Sequence, residues 1–329
     1  MLTDSFGRVA TDLRVSLTDR CNLRCSYCMP AEGLDWLPRA ALLTDDEVTR
    51  LISVAVRRLG ITEVRFTGGE PLIRRGLPAI IAATAELDPR PEISLTTNGI
   101  GLARLAGPLA AAGLDRLNVS LDTLSRETFV RMARRDRLSD VLAGLSAAAD
   151  AGLAPVKVNA VLMRGINDHE AAALLRFCLV RGYQLRFIEQ MPLDAQHGWR
   201  RADMVTADEI LTALSAQFTL TPDDVGARGS APAETFQVNG GPDRVGIIGS
   251  VTRPFCGTCD RVRLTADGQV RNCLFAATET DLRASLRSGA SDDQLAGLWR
   301  TAVAAKLPGH GINDPGFLQP TRPMSAIGG

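Results

Sequence analysis

Net charge is the first thing this 329-residue sequence lacks: 37 Lys and Arg balance 37 Asp and Glu. No global field draws the chain to nucleic acid or to an anionic membrane surface, so any anionic ligand must be held by a local cluster of bases. Long apolar runs are missing too. The longest uncharged stretch is the thirteen residues from Ile210 to Pro222, well short of the roughly twenty a membrane helix needs. The first fourteen residues carry two acids and two arginines and no apolar run, so no secretory leader is expected. A Gly-x4-Gly-Lys-Ser/Thr phosphate loop is absent, which excludes a nucleotide hydrolase of that class. The three histidines, His169, His197 and His310, have no metal-like spacing. There is no internal repeat and no low-complexity block. Hydrophobic and charged shares of 45% and 22% exclude disorder, collagen and coiled coil.

What is present is an alternation. Short β-like runs at Leu13–Leu17, Glu63–Phe66, Ile93–Leu95, Arg116–Leu121, Val156–Val161 and Leu185–Ile188 are separated by Ala/Leu-rich stretches of helical length. One of these opens on Thr44-Asp45-Asp46-Glu47, the pattern of a capping box. Six such units predict an α/β fold with a parallel sheet curling into an incomplete (β/α)6 TIM-like barrel. Polar signatures follow the strands directly: Thr67-Gly68-Gly69-Glu70-Pro71, Thr96-Thr97-Asn98-Gly99 and Asp122-Thr123. Each alone reads as a turn, but together they fall on the rim where barrel active sites are built. About 150 residues per domain suggests two parts. We expect a partial barrel over residues 1–220 and an α+β extension over 221–329. The extension opens on a loop, Pro222–Pro232, continues with β runs at Glu234–Val238 and Val245–Ile248, and includes a hairpin of Arg261–Thr265 and Gln269–Cys273.

Six of the seven cysteines fall in two trios: Cys21, Cys25 and Cys28, then Cys256, Cys259 and Cys273. In a chain without a leader, close-set cysteines point to metal and not to disulfides. Cys178 reads as a buried helix residue. Three thiolates can grip three corners of a cuboidal iron–sulfur cluster and leave the fourth iron open. A zinc site closed by a distant fourth ligand is the alternative.

Cys21-x3-Cys25-x2-Cys28, with Tyr27 before the third cysteine, resembles the signature of the radical S-adenosylmethionine (SAM) superfamily, and Gly68-Gly69-Glu70-Pro71 resembles its second motif. The runs Leu13–Asn22, Arg186–Pro192 and Phe255–Thr265, together with Gly328-Gly329, resemble the GTP 3′,8-cyclase family of molybdenum cofactor biosynthesis. The likeness runs from about Phe6 to Gly329. It implies a lyase with a radical SAM barrel and two 4Fe–4S clusters, held by Cys21, Cys25 and Cys28 and by Cys256, Cys259 and Cys273. It implies SAM contacts at Tyr27, Gly69, Ser120 and Met191, and GTP contacts at Arg14, Arg65, Thr96, Lys157, Arg261, Val262 and Arg263. No catalytic side chain is assigned. The implied partners are GTP, a reductant protein, the cyclic pyranopterin monophosphate synthase that receives the product, and a second copy in a homodimer; the location is cytoplasmic. The rival readings are a peptide-modifying radical SAM enzyme and a redox sensor without turnover.

The residues support a phosphate site independently. Arg261 and Arg263 stand two apart on a strand and so share one face, and guanidinium forks suit phosphate oxygens. Lys157 joins them if the strand alternation places it inward. Pro323–Gly329 has no apolar periodicity and by itself reads as a frayed end; the resemblance implies instead that its paired glycines thread toward the active site.

Overall fold

The computed structural model describes residues 1–328, apart from the side chains of Val225 and Ala227. Eight parallel strands form its centre: β1 (Asp12–Ser16), β2 (Glu63–Thr67), β3 (Glu92–Thr97), β4 (Arg116–Ser120), β5 (Lys157–Val161), β6 (Gln184–Ile188), β7 (Arg244–Ile248) and β8 (Arg261–Leu264). Their order across the sheet is β8-β1-β2-β3-β4-β5-β6-β7, the order of a closed eight-stranded barrel with the ladder between β7 and β8 left out. The six expected strands are all present, and the segment beyond residue 220 adds one more parallel strand at each edge. Antiparallel strands extend the sheet further, Glu234–Val238 and Leu220–Pro222 outside β7, Gln269–Arg271 and Thr280–Asp281 outside β8. One sheet therefore runs through both expected parts.

Alternation along the strands separates packing from chemistry. Leu13 and Val15 of β1, Val64 and Phe66 of β2, Leu117 and Val119 of β4, and Leu185 and Phe187 of β6 all enter the main hydrophobic core. The intervening residues face the barrel interior. Register then sets their level: Arg263 pairs with Arg14, and Arg14 with Arg65, so three arginines on adjacent strands stand in one row.

The outer layer is helical: α1 (Asp45–Leu59), α2 (Leu77–Ala85), α3 (Leu102–Ala111), α4 (Arg126–Ala133), α5 (Leu138–Asp150), α6 (Ala171–Arg181), α7 (Ala207–Ser215), α8 (Leu282–Arg287) and α9 (Asp292–Ala304). In α1 the expected capping box is formed, with Thr44 Oγ1 accepting from the Glu47 N–H and the Glu47 carboxylate from the Thr44 N–H. Acids fill its first turn, Arg57 and Arg58 its last, and Gly60 closes it in the left-handed conformation, each matching the helix dipole or a terminal need. Val48, Leu51, Ile52, Ala55 and Leu59 lie buried along one face.

Two expectations change. The stretch Pro222–Pro232, read as a loop, begins in an edge strand and holds a 3-10 turn at Val225–Arg228, where Arg228 reaches the Pro232 carbonyl at 2.7 Å. The tail is not frayed either. Met324–Ile327 forms a short helix, α10, and Ile327 is wholly buried. Ser16 Oγ donates to the Ile327 carbonyl at 2.8 Å, the Arg263 guanidinium to that of Gly328, and Arg322 forks onto Asp267 at 2.7 and 3.0 Å. Polar anchors fix this segment, and four helical residues are too few for periodicity to register. Gly329 lies outside the described residues.

Replacing Thr44 with alanine removes one half of the capping box and should cost about 1 kcal/mol. Urea unfolding of anaerobic protein should show this as a lower midpoint, restored by Thr44→Ser, with iron content unchanged.

Candidate active site

A cavity of about 320 Å³ opens inside the barrel and at its C-terminal rim. Cys21, Cys25 and Cys28 line it from the loop after β1. That loop is pinned to the end of α4: Arg24 N–H donates to the Ala133 carbonyl at 3.0 Å and Ser26 N–H to that of Met132 at 2.8 Å. On its other side lies the Gly68-Gly69 turn. A side chain on Gly68 would overlap the Thr18 carbonyl, and one on Gly69 the Arg20 carbonyl. The glycines thus let two backbones touch, the close approach being to the cysteine loop itself. Glu70 follows, wholly buried, accepting from Thr97 Oγ1 at 2.6 Å, Asn98 N–H at 2.7 Å and Leu72 N–H at 2.9 Å. Burial outweighs these donors and pushes its carboxyl up to about 7.

The thiols sit where ionisation is costly. Burial raises Cys21, raises Cys25 far, and pushes Cys28 up to about 12. A positively charged metal core offsets that cost, since a coordinated thiol is deprotonated outright. The groups that hydrogen-bond the sulfur of Cys21 are neutral, the Leu23 N–H at 3.4 Å and the Asn98 amide at 3.6 Å. Tyr27 donates its hydroxyl to Asp122 at 2.8 Å, and burial lifts Asp122 to about 6.

Below the cysteines the interior is strongly basic. Arg14, Arg65, Arg186, Arg261 and Arg263 all line the cavity. Burial, then the neighbouring guanidiniums, depress the pKa of Arg14 well below the ordinary arginine value, against the pull of Asp12. Burial likewise brings Arg186 to about 9, and Lys157, beside Arg186, Arg116 and Arg65, to about 8. Asp12 is the buried counter-ion, 3.5 Å from Arg14 and 3.7 Å from Arg261. One carboxylate cannot balance this group. The Nε–H groups of Arg14, Arg65 and Arg261 are buried without a hydrogen-bond partner, and unpaired buried donors among like charges call for an anion.

A second, smaller cavity of about 80 Å³ adjoins the first. Cys256, Cys259 and Cys273 line it, together with His310, Asn272 and Phe275. Six residues line both cavities: Met191, Ser250, Phe255, Arg261, Arg263 and Leu274. Burial raises the Cys256 thiol. Burial also pushes Cys259 up, but Lys306 and Arg261 outweigh it and the net shift is downward. His310 has both ring nitrogens engaged, Nε2 with the Ser250 carbonyl at 3.0 Å and Nδ1 accepting from the Ile312 N–H at 3.1 Å, which makes it a scaffold side chain. Among the described residues, no three of His, Cys, Asp and Glu gather closely enough to hold a single ion. Two sets of three thiols, spread around a cavity, suit the separate corners of a cuboidal cluster.

Most residues expected at the site meet there. Tyr27, Gly69, Ser120, Met191, Arg14, Arg65, Thr96, Arg261 and Arg263 line the main cavity, and the six cysteines divide between the two. Lys157 and Val262 line neither. Lys157 stands close enough to Arg186 to feel its charge. Val262 points outward into the core, as alternation between Arg261 and Arg263 requires, so only its backbone belongs with them. Arg186 was not expected. It bonds Asn118 at 2.6 Å and Asn159 at 3.0 Å, and its inward position could have been read from Leu185 and Phe187 on either side. Glu189, also unexpected, is 1% exposed and accepts from the N–H groups of Ala207, Val251 and Thr252 at 2.7 to 2.9 Å, fixing the β7–β8 connection to the end of β6.

Residues 15–178 match the radical SAM superfamily model and residues 183–312 the model for molybdenum cofactor synthesis, C-terminal. The chain is 65% identical to the GTP 3′,8-cyclase of Streptomyces coelicolor, over all of this chain and 96% of that protein. It is 64% identical to the GTP 3′,8-cyclase of a Mycobacterium species (strain KMS), over 100% and 93% respectively. Among solved structures, Streptococcus suis SuiB bound to S-adenosylmethionine superposes with a TM-score of 0.63 at 13% identity, covering 93% of this chain and 68% of that one. That likeness is one of fold.

Replacing Arg65 with methionine removes one of the unpaired donors together with one of the crowded charges. Nucleoside triphosphate affinity should fall roughly ten- to hundredfold, the equivalent of about 1.5–3 kcal/mol for a hydrogen bond to a charged group. The ligand-free protein should melt no lower than the parent, because repulsion is relieved. Equilibrium binding and scanning calorimetry check the two halves.

Proposed function

The chain belongs to the GTP 3′,8-cyclase family of radical SAM enzymes, and from that premise we propose how its own residues share out the reaction. It is a lyase of the first step of molybdenum cofactor synthesis, converting GTP to (8S)-3′,8-cyclo-7,8-dihydroguanosine 5′-triphosphate. Cys21, Cys25 and Cys28 would hold a four-iron cluster, and Tyr27, Gly69, Ser120 and Met191 would hold SAM beside it. Cys256, Cys259 and Cys273 would hold a second four-iron cluster in the smaller cavity, in the part beyond residue 220. Bound together and given an electron by the reductant, the first cluster and SAM would supply the radical chemistry that removes the ribose 3′ hydrogen. Joining C3′ to C8 would take up one further electron and one proton.

The chain's task is placement and charge. Arg14, Arg65, Arg186, Arg261 and Arg263, with Lys157 beside them, receive the triphosphate, and their unpaired N–H groups gain the acceptors they lack. Thr96, two positions beyond the level of Arg65 on the neighbouring strand, would complete the GTP contacts. Arg261 and Arg263 line both cavities, so phosphates gripped there leave the purine facing the second cysteine trio. That sharing of residues by the two cavities is the observation that carries the reading. Leu23, Phe129, Met132 and Leu193 wall the first trio with apolar surface, which keeps water from a reactive carbon radical. The enzyme is read as a cytoplasmic homodimer that takes electrons from a reductant protein and passes its product to the cyclic pyranopterin monophosphate synthase. Six half-buried free thiols need a reducing compartment, which supports that location.

Three measurements test this. GTP deuterated at C3′ should pass its label into 5′-deoxyadenosine; product formed without label transfer places the abstraction elsewhere. Anaerobic protein should carry about eight irons, two cuboidal clusters of four, and zinc in the second trio would overturn the two-cluster assignment. Removing Gly328 and Gly329 should leave iron content and SAM cleavage largely intact while lowering cyclised product, since Gly328 meets Arg263, and the Ser325 N–H that reaches Cys28 stays in place. Full product yield would reduce the tail to packing.

A further inference from the structure

Lysine is almost absent from this chain: two of its 37 basic residues are lysine, Lys157 and Lys306. Lys157 belongs to the basic cluster of the main cavity. Lys306 lies just beyond α9 and is 5% exposed. Its ammonium donates to the Cys259 carbonyl at 3.0 Å, to the Arg261 carbonyl at 3.0 Å and to Cys259 Sγ at 3.4 Å. Three N–H donors thus meet three acceptors around one nitrogen. A compact ammonium does this and a flat guanidinium fork does not, which accounts for lysine at this place in a chain that otherwise uses arginine.

None of those acceptors is a carboxylate. A buried cation without a counter-charge is costly, and the group able to supply the negative charge is the Cys259 sulfur once it is a metal-bound thiolate. At the first trio the donors are neutral, the Leu23 N–H and the Asn98 amide at Cys21 Sγ and the Ser325 N–H at Cys28. At Cys259 Sγ they are cationic, Lys306 at 3.4 Å and, farther off, Arg261 at 4.0 Å.

We propose that Lys306 is a positioning residue for the second iron–sulfur site, and that its charge on Cys259 raises the reduction potential of the cluster held there. The inference rests on the two-cluster reading above. Reduction adds negative charge to a cluster and its thiolates, and hydrogen bonds and cations at the sulfurs favour the reduced form. The same ammonium grips the Cys259 and Arg261 carbonyls, so it also fixes the backbone from which Arg261 reaches the substrate cavity.

The test uses the full chain with Cys21→Ala, Cys25→Ala and Cys28→Ala, leaving the second site alone to be read by iron analysis, electron paramagnetic resonance and a mediated redox titration. This parent should hold about four irons, one cuboidal cluster. Lys306→Met and Lys306→Gln should each lower its midpoint, with a tenfold change in the reduction equilibrium corresponding to about 59 mV for one electron. Lys306→Arg, which keeps the charge but not the three-way contact, should fall between the parent and the neutral variants. Iron lost from both neutral variants and kept in Lys306→Arg also supports the proposal, since charge and not packing then holds the site. Full iron with the parent's midpoint in both neutral variants overturns it. A parent with no iron overturns the two-cluster reading itself, a distinct result.

Discussion

Like charges crowded inside a barrel are the constraint on which this molecule turns. Arg263, Arg14 and Arg65 stand in one register row, with Arg186 and Lys157 beyond them and Asp12 as the carboxylate among Arg14, Arg65, Arg261 and Arg263. Such a group gains nothing for the folded chain and is tolerated because the surrounding ladders and the Leu/Val/Ile layer outside them leave it no other place. It is stable by enclosure and waits for an anion. On the proposed reading a triphosphate would satisfy that demand and, because the row is fixed by strand register, would be held in one orientation.

The loop beside that row is coupled to it by backbone contact. The Gly68-Gly69 turn and the Thr18–Arg20 segment touch so closely that no side chain fits between them. The loop that carries the first cysteine trio therefore moves with the end of β2, which also carries Arg65. Glu189 does the corresponding work on the far side, binding the β7–β8 connection to β6 and α7. The two halves of the cavity are thus each tied to the sheet by a buried carboxylate, Glu70 on one side and Glu189 on the other.

Much of this was legible in the sequence, and the part that was not has a common cause. The first six parallel strands could be read because residues such as Leu13 and Val15 alternate with polar neighbours. Both cysteine trios could be read because their spacing is local. Arg186, Asp12 and Lys306 were missed because their roles arise from register and from contacts spanning tens to hundreds of positions, Lys306 meeting Cys259 across 47 residues. Val262 was named with its neighbours although alternation alone places it outward. The tail was misread as frayed since what holds it is a handful of polar anchors, Arg322 on Asp267 and Ser16 on Ile327.

A barrel closed by eight strands has an interior just wide enough for its own side chains. Here the last ladder is absent, β7 and β8 each turning instead to an antiparallel neighbour. The perimeter is freed from the circumference that eight paired strands would impose, and the wall on that side becomes a connecting segment bearing Cys256 and Cys259. Cys21, Cys25 and Cys28 follow the C-terminal end of β1, whereas Cys256 and Cys259 precede the N-terminal end of its parallel neighbour β8. The two trios therefore stand at opposite ends of the barrel, and the room between them runs along its axis, past the row of arginines.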